Sequence, residues 1–147
     1  MKKFLSVSFL TFVAVFLMAT AVLAAVERAP LYDSSSYTPG VTCLYGSDET
    51  NGPTLGSVFM DFNQEGQLVA EISLEGASPN TAFDIWVNQY PGDCPVSWPT
   101  EENALTTNEQ GYGNAFVVLD AVPGASHFWI SVVGGGQILR STAVVLE

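Results

Sequence analysis

Residues 63–87 read Asn63-Gln64-Glu65-Gly66-Gln67-Leu68-Val69-Ala70-Glu71-Ile72-Ser73-Leu74-Glu75-Gly76-Ala77-Ser78-Pro79-Asn80-Thr81-Ala82-Phe83-Asp84-Ile85-Trp86-Val87. The stretch divides into turn, strand, corner and strand. Asn63-x-x-Gly66 suits a tight hairpin loop closed by a glycine at positive φ. Leu68, Ala70, Ile72 and Leu74 then alternate with Val69, Glu71 and Ser73, the period of two that marks a half-buried strand. Ser78-Pro79-Asn80 breaks that period and turns the chain. Phe83, Ile85 and Val87 resume it, alternating with Asp84 and Trp86.

The same grammar returns 45 residues later, with seven identities in 25 positions. Asn108 answers Asn63, Gly111 answers Gly66 and Leu119 answers Leu74. Phe128, Ile130 and Val132 answer Phe83, Ile85 and Val87. Val122-Pro123-Gly124 supplies the second corner. Any two hairpins share part of this grammar, so the likeness reads either as common usage or as a duplication. In both cases the two halves are expected to pack as related units of one sandwich.

Working outward, residues 55–62 form a strand with Val58, Met60 and Phe62 on one face and Phe59 on the other. Residues 104–107 suit a short strand. Gly134-Gly135-Gly136 reads as a hairpin turn. Residues 137–146 form the last strand, nearly apolar on both faces, which belongs inside a sheet or against a partner. The expected fold is all-β, an antiparallel sandwich of about seven or eight strands, with its core in residues 54–147.

Met1-Lys2-Lys3 is a basic start, and residues 4–26 carry no charge. Small residues around Val22-Leu23-Ala24-Ala25 suit a signal-peptidase site, so residues 1–24 are expected to be a signal peptide forming an apolar helix. An uncleaved membrane anchor is the competing reading. Residues 25–147 then make one domain, with room for a real core. Residues 25–53 are its irregular part, containing Ser34-Ser35-Ser36-Tyr37-Thr38-Pro39-Gly40 and space for an edge strand at 41–45.

Without Lys2 and Lys3 the chain has only Arg28 and Arg140 to set against fifteen acidic residues. Binding to nucleic acid is excluded, because counterion release needs clustered lysine and arginine. The same deficit argues against anionic membrane surfaces. A soluble, self-repelling extracytoplasmic surface is the plain reading, and cationic partners are permitted.

There are two cysteines, Cys43 and Cys94. In an exported chain an even count suggests a disulfide between them. Closing a loop of about 50 residues would contribute about 4 kcal/mol in the chain-entropy model. Two free thiols are the alternative. The bond would tie the irregular N-terminal segment to residues 89–103, a long loop without periodicity. Loops of that length are often functional.

Chemistry finds little support. His127 is the single histidine, no nucleophile-elbow motif accompanies it, and a zinc site needs more ligands than one histidine and a bonded cysteine pair. Asp61-Phe62-Asn63-Gln64-Glu65-Gly66 imitates the front of a calcium loop. Its twelfth position, however, is Ile72 where a bidentate glutamate is required, and the hairpin reading prevails. Loop acids such as Asp48, Glu49, Asp93, Glu101 and Glu102 leave a weak calcium site open. Paired carboxylates for glycoside hydrolysis are available among so many acids, but no motif singles out a pair. The chain is expected to be non-catalytic, with no cofactor and no metal.

Aromatic residues are the better candidates for binding. Trp86 and Trp129 fall on the strand faces opposite Phe83 and Phe128. Tyr90 and Trp98 flank Asp93 in the long loop, and Tyr112 opens the next strand. Trp and Tyr are favoured anchors, able to stack on sugars or fill a partner's pocket. Packing under loops or a second sheet is the ordinary alternative for Trp86 and Trp129. Tyr90, Trp98, Asp93, Trp86 and Trp129 form the candidate binding surface.

The corner from Leu74 through Pro79, Asn80 and Thr81 to Phe83, followed by Asp84-Ile85-Trp86-Val87, resembles the corner before a late strand in fibronectin type III and other immunoglobulin-like domains. Those domains carry a tyrosine where Phe83 stands, so the hydroxyl bond that ties their corner is absent here. The likeness covers about 14 residues and implies an immunoglobulin-like sandwich, without specifying topology. The chain beyond the signal segment also resembles small secreted bacterial β-sandwich proteins of unknown role that run Pro-Asn-Thr-x-Phe/Tyr-Asp-x-Trp-Val and end in a Gly-rich hairpin. That resemblance implies compartment and fold class and no activity.

The expected function is a secreted, non-catalytic interaction module whose partner is an extracellular protein or a glycan. A structural, envelope-associated domain that self-associates through sheet edges or its last strand is the alternative. A small extracellular hydrolase is the third reading.

Overall fold

The computed structural model describes residues 28–34, 52–91, 96–99 and 104–147, with the backbone alone at 96–99. The expected signal segment, both cysteines, Asp93 and the other loop acids named above lie outside these residues. Among the described residues no helix is long and apolar enough to cross a membrane.

Ten strands follow in order: β1 (Ala29–Asp33), β2 (Thr54–Phe62), β3 (Leu68–Leu74), β4 (Ala82–Tyr90), β5 (Val96–Pro99), β6 (Leu105–Thr106), β7 (Gly113–Leu119), β8 (His127–Gly134), β9 (Gln137–Ser141) and β10 (Val144–Val145). All pair antiparallel. One hydrogen-bonded path runs β5-β4-β8-β9-β1-β2-β3-β7, with β6 on β4 and β10 on β8. The all-β, antiparallel expectation stands. Where two separate sheets were expected, the strands form one continuous sheet curled until its sides nearly meet. The closure lies at β6, which pairs with Ala82 and Phe83 of β4 and leads by a tight turn into β7. The fit there is close, because a Cβ on Gly113 would come within 2.7 Å of the Leu105 side chain.

The alternation read from sequence sets the core. Phe83, Ile85 and Val87 of β4 and Phe128, Ile130 and Val132 of β8 are fully buried. They face Leu68, Ala70, Ile72 and Leu74 of β3 and Val58 and Met60 of β2 inside one apolar cluster. Phe62 packs edge-on against Phe128, with ring centroids 5.7 Å apart.

The stretch expected to be irregular contributes β1, which is interior to the sheet. Ala29, Pro30 and Tyr32 pair with β2, with a register shift between Pro30 and Tyr32, and Leu31 to Asp33 pair with β9. Proline within a strand calls for such an irregularity. The last strand is likewise divided. It breaks after Ser141, and Val144–Val145 returns to β8.

The repeat is present in hydrogen bonds as well as letters. Asn63 Oδ1 accepts from the amides of Glu65 and Gln67 at 3.1 and 2.8 Å, and Asn108 Oδ1 accepts from Gln110 and Tyr112 at 2.9 and 3.0 Å. Gly66 and Gly111 close the two turns at φ 78° and 77°, the region that only glycine adopts without cost. β3 pairs with its own equivalent β7, and Glu71 stands opposite Phe116. β4 pairs with its equivalent β8, and Trp86 stands opposite Ser131. Both facing pairs are separated by the repeat spacing of 45. A two-fold rotation exchanging the copies therefore passes between both pairs. The short closing strands obey it as well: β6 meets β4 at Phe83 and Ala82, and β10 meets β8 at Phe128 and His127. Thr107 N donates to Thr81 O and Leu146 N to Ser126 O, each at 3.0 Å.

Candidate binding surface

β4 turns Phe83, Ile85 and Val87 to the core, so Asp84, Trp86, Asn88 and Tyr90 take its outer face. On β8 the outer residues are His127, Trp129, Ser131 and Val133. The ladder sets them in rows: Tyr90 opposite His127, Asn88 opposite Trp129, Trp86 opposite Ser131 and Asp84 opposite Val133. β9 extends the Ser131 row with Arg140, and β1 extends it with Tyr32. Trp86, Trp129 and Tyr90, singled out from the sequence, thus share one face of two paired strands.

Their environments differ. Trp129 is only 4% exposed, yet it stands outside the inner core cluster. Asn88 and Ser131 beside it are buried too. The Asn88 amide nitrogen donates to the carbonyl of Trp129 at 3.2 Å and to the Ser131 hydroxyl at 3.1 Å. This is a fixed polar-aromatic floor. Trp86, Tyr90 and His127 on the same face are half-buried. The Tyr90 and His127 rings meet edge to face, centroids 6.1 Å apart, and His127 Nδ1 lies 3.0 Å from Ser126 Oγ.

Trp98 sits on β5, in register opposite Val87, while Trp86 is opposite Pro99. Its register position is thus that of the core-facing Val87, and the ladder does not group it with Trp86 and Tyr90. Asp93 lies outside the described residues. Tyr112, just before β7, is 52% exposed and belongs to the other half of the sheet.

Two glutamines hold the corners that frame this face. Gln89, fully buried, accepts the Val122 amide at 2.7 Å, and Gln137 accepts the Ser78 amide at the same distance. Gln89 Nε2 is buried with no hydrogen-bond partner among the described residues. Thr107 binds the first corner to β6: its hydroxyl accepts the Thr81 amide at 3.0 Å and donates to Ser78 O at 2.6 Å.

The other half of the sheet presents a surface that the sequence reading did not single out. β7 turns Asn114, Phe116 and Val118 outward, with Phe116 64% and Val118 45% exposed. Beside Phe116, Arg28 and Glu71 form an exposed ion pair at 2.9 Å. The signal was the run Ala115-Phe116-Val117-Val118-Leu119, apolar on both faces. The same inference drawn for the last strand, an interior place or a partner, applies to it.

Among the described residues no three histidine, cysteine, aspartate or glutamate side chains converge in a way that could hold a metal ion. The calcium-like stretch is a hairpin, and its Asn63 side-chain oxygen is engaged by the turn's own amides. Comparison with known families, with characterised proteins and with solved structures finds no match to this chain.

Proposed function

We propose that this chain is an extracytoplasmic interaction module that does no covalent chemistry and holds its ligand on the outer face of β4 and β8. The observation that carries the reading is the grouping of Trp86, Tyr90, His127 and Trp129 on one face, three half-buried rings beside a buried tryptophan. Flat aromatic rings in fixed positions stack on sugar rings or fill pockets at little entropic cost. Asp93 and Trp98 belong to this proposal from the sequence alone, and Trp98 pairs in register with the core-facing Val87 and not with Trp86. An extracellular glycan or protein is the ligand class, and nucleic acid is disfavoured by the acidic surface.

The leader and the Cys43–Cys94 disulfide belong to the same proposal, supported by the basic start, the uncharged run and the even cysteine count. So does the immunoglobulin-like classification. Its support is the corner from Leu74 to Phe83 alone, since Tyr32 of β1 pairs with β2 and β9 at once and keeps the sheet continuous.

The test is a titration of the exported chain with a panel of oligosaccharides, followed by tryptophan fluorescence. Binding at this face shifts the emission, and Trp86→Ala or Tyr90→Ala removes the shift while the chain still folds and unfolds cooperatively. Ligand binding that survives both substitutions together would refute the placement.

A further inference from the structure

β3 has a neighbour on each side, β2 and β7. By the repeat, β7 is equivalent to β3, and the chain before its turn is equivalent to β2. That chain leaves early. Leu105 and Thr106, the counterparts of Met60 and Asp61, pair with β4 instead. From Asn114 onward, the place beside β7 that β2 fills beside β3 has no strand among the described residues, and β7 ends the sheet path.

The hydrogen-bond phase identifies the open groups. Asn63 N donates to Gln67 O and Glu75 N to Leu55 O, each at 2.9 Å. Odd-numbered residues of β3 therefore bond to β2, and Leu68, Ala70, Ile72 and Leu74 bond to β7. Their partners there are Leu119, Val117, Ala115 and Gly113. The amides and carbonyls of Asn114, Phe116 and Val118 point the other way, along the open edge. Natural sheets protect such edges with lysine, proline or bulges. Residues 111–119, Gly-Tyr-Gly-Asn-Ala-Phe-Val-Val-Leu, contain none of these and no charge, in a chain with fifteen acids.

We infer that the open edge of β7 pairs antiparallel with β7 of a second copy of this chain, about a two-fold axis at Phe116. In that register Asn114 faces Val118 of the other copy, Phe116 faces Phe116, and Val118 faces Asn114. All the outward amides and carbonyls of these residues are then paired. The second copy also reproduces what β2 supplies to β3. β2 sets Phe59 beside Glu71 and Ser57 beside Ser73; the second copy sets a phenylalanine beside Phe116 and an asparagine beside Val118. Charge points to the same seam. Two acidic molecules repel, and this strand lets them join with no carboxylate facing another. Asp120, just past β7, faces Tyr112 of the other copy in this register, and Glu71, paired with Arg28, lies three strand spacings, about 14 Å, from its mate, beyond the screening length of about 8 Å in physiological salt. The seam is short, so the dimer is weak and concentration-dependent. It is a different surface from the aromatic face of β4 and β8, and either proposal can fail alone.

The experiment is amide hydrogen exchange with sedimentation velocity, on protein in the form its host produces, over a hundredfold range of concentration. The expected result is a monomer–dimer shift in which the amides of Asn114, Phe116 and Val118 exchange at least tenfold more slowly when concentrated, while Ala115 and Val117 stay protected throughout. Val118→Pro removes one edge-facing donor and leaves the β3 ladder its own donors, and Phe116→Glu puts like charges opposite each other. Both abolish the shift. If Val118→Pro unfolds the chain, Phe116→Glu decides. A monomer at every concentration, edge amides that exchange freely throughout, or edge amides protected equally at every dilution by a segment of the same molecule would each overturn the inference.

Discussion

Asn63 and Asn108 do the same work with the same atoms. Each side-chain oxygen accepts the amides two and four residues ahead, Glu65 and Gln67 in one turn and Gln110 and Tyr112 in the other. Each backbone amide also donates across the turn at 2.9 Å, to Gln67 O and Tyr112 O. Asn63→Ala and Asn108→Ala are therefore expected to cost similar amounts, about 1–2 kcal/mol each. The turns are separate, so the double variant should show the sum. Urea denaturation checks this: the midpoints fall in parallel and the slope is unchanged.

That symmetry was legible because hairpin turns and alternating strands write themselves locally. Asn-x-x-Gly and the Phe-x-Ile-x-Val runs need no knowledge of their neighbours. β1 was not legible. Ala29-Pro30-Leu31-Tyr32-Asp33 is short and contains a proline, and it becomes a strand because β2 and β9 offer edges on both sides. Nor did the letters distinguish Trp86 from Trp129. Both stand on outer faces beside Asn88 and Ser131, and only the folded structure shows that Trp129 is buried while Trp86 is half-buried. β7 shows the same limit differently. Its pattern announces two apolar faces, but which edge is paired is a property of the sheet.

The two tryptophans should respond differently to truncation. Trp129→Ala empties a buried site and is expected to cost about 3–5 kcal/mol. Trp86→Ala removes a half-buried ring and should cost less, about 1–2 kcal/mol. Thermal unfolding followed by circular dichroism separates them. Equal losses would mean that Trp86 is part of the packing and would weaken its role as a contact residue.

Thr107 joins the first corner to the closing strand through one hydroxyl. Thr107→Val keeps the shape and removes both bonds, leaving the Thr81 amide and the Ser78 carbonyl without that partner. The expected loss is about 1–3 kcal/mol. Thr107→Ser, which keeps the hydroxyl, should lose less. If valine behaves like the parent and serine does not, the methyl group matters at this position and the hydrogen bonds do not.

With a formal net charge of −11, the folded chain compresses like charges that the unfolded chain spreads apart. The one ion pair between described residues is the exposed Arg28–Glu71, and exposed pairs contribute little. Screening should therefore relieve more repulsion than attraction. The melting temperature is expected to rise between about 10 and 150 mM sodium chloride, where the screening length shortens from about 30 to 8 Å. A fall would mean that attractive pairs dominate.

Gln89 is the most exacting polar residue in the core. Its oxygen accepts the Val122 amide while its nitrogen is buried with no partner among the described residues. Gln89→Glu keeps the acceptor and the volume and removes the unpaired donor, but introduces a buried acid. Burial disfavours the carboxylate, so the folded-state pKa of that glutamate lies above its unfolded value of about 4.3. A raised pKa means that the folded state holds the proton more tightly. The stability of the variant is then greatest below the unfolded pKa and falls as pH rises through the folded one. At pH 7 the expected deficit relative to the parent is about 3 kcal/mol or more, shrinking at pH 4. Chemical denaturation of both proteins at the two pH values measures the difference. A deficit independent of pH would show that the site admits enough water to leave the carboxylate solvated.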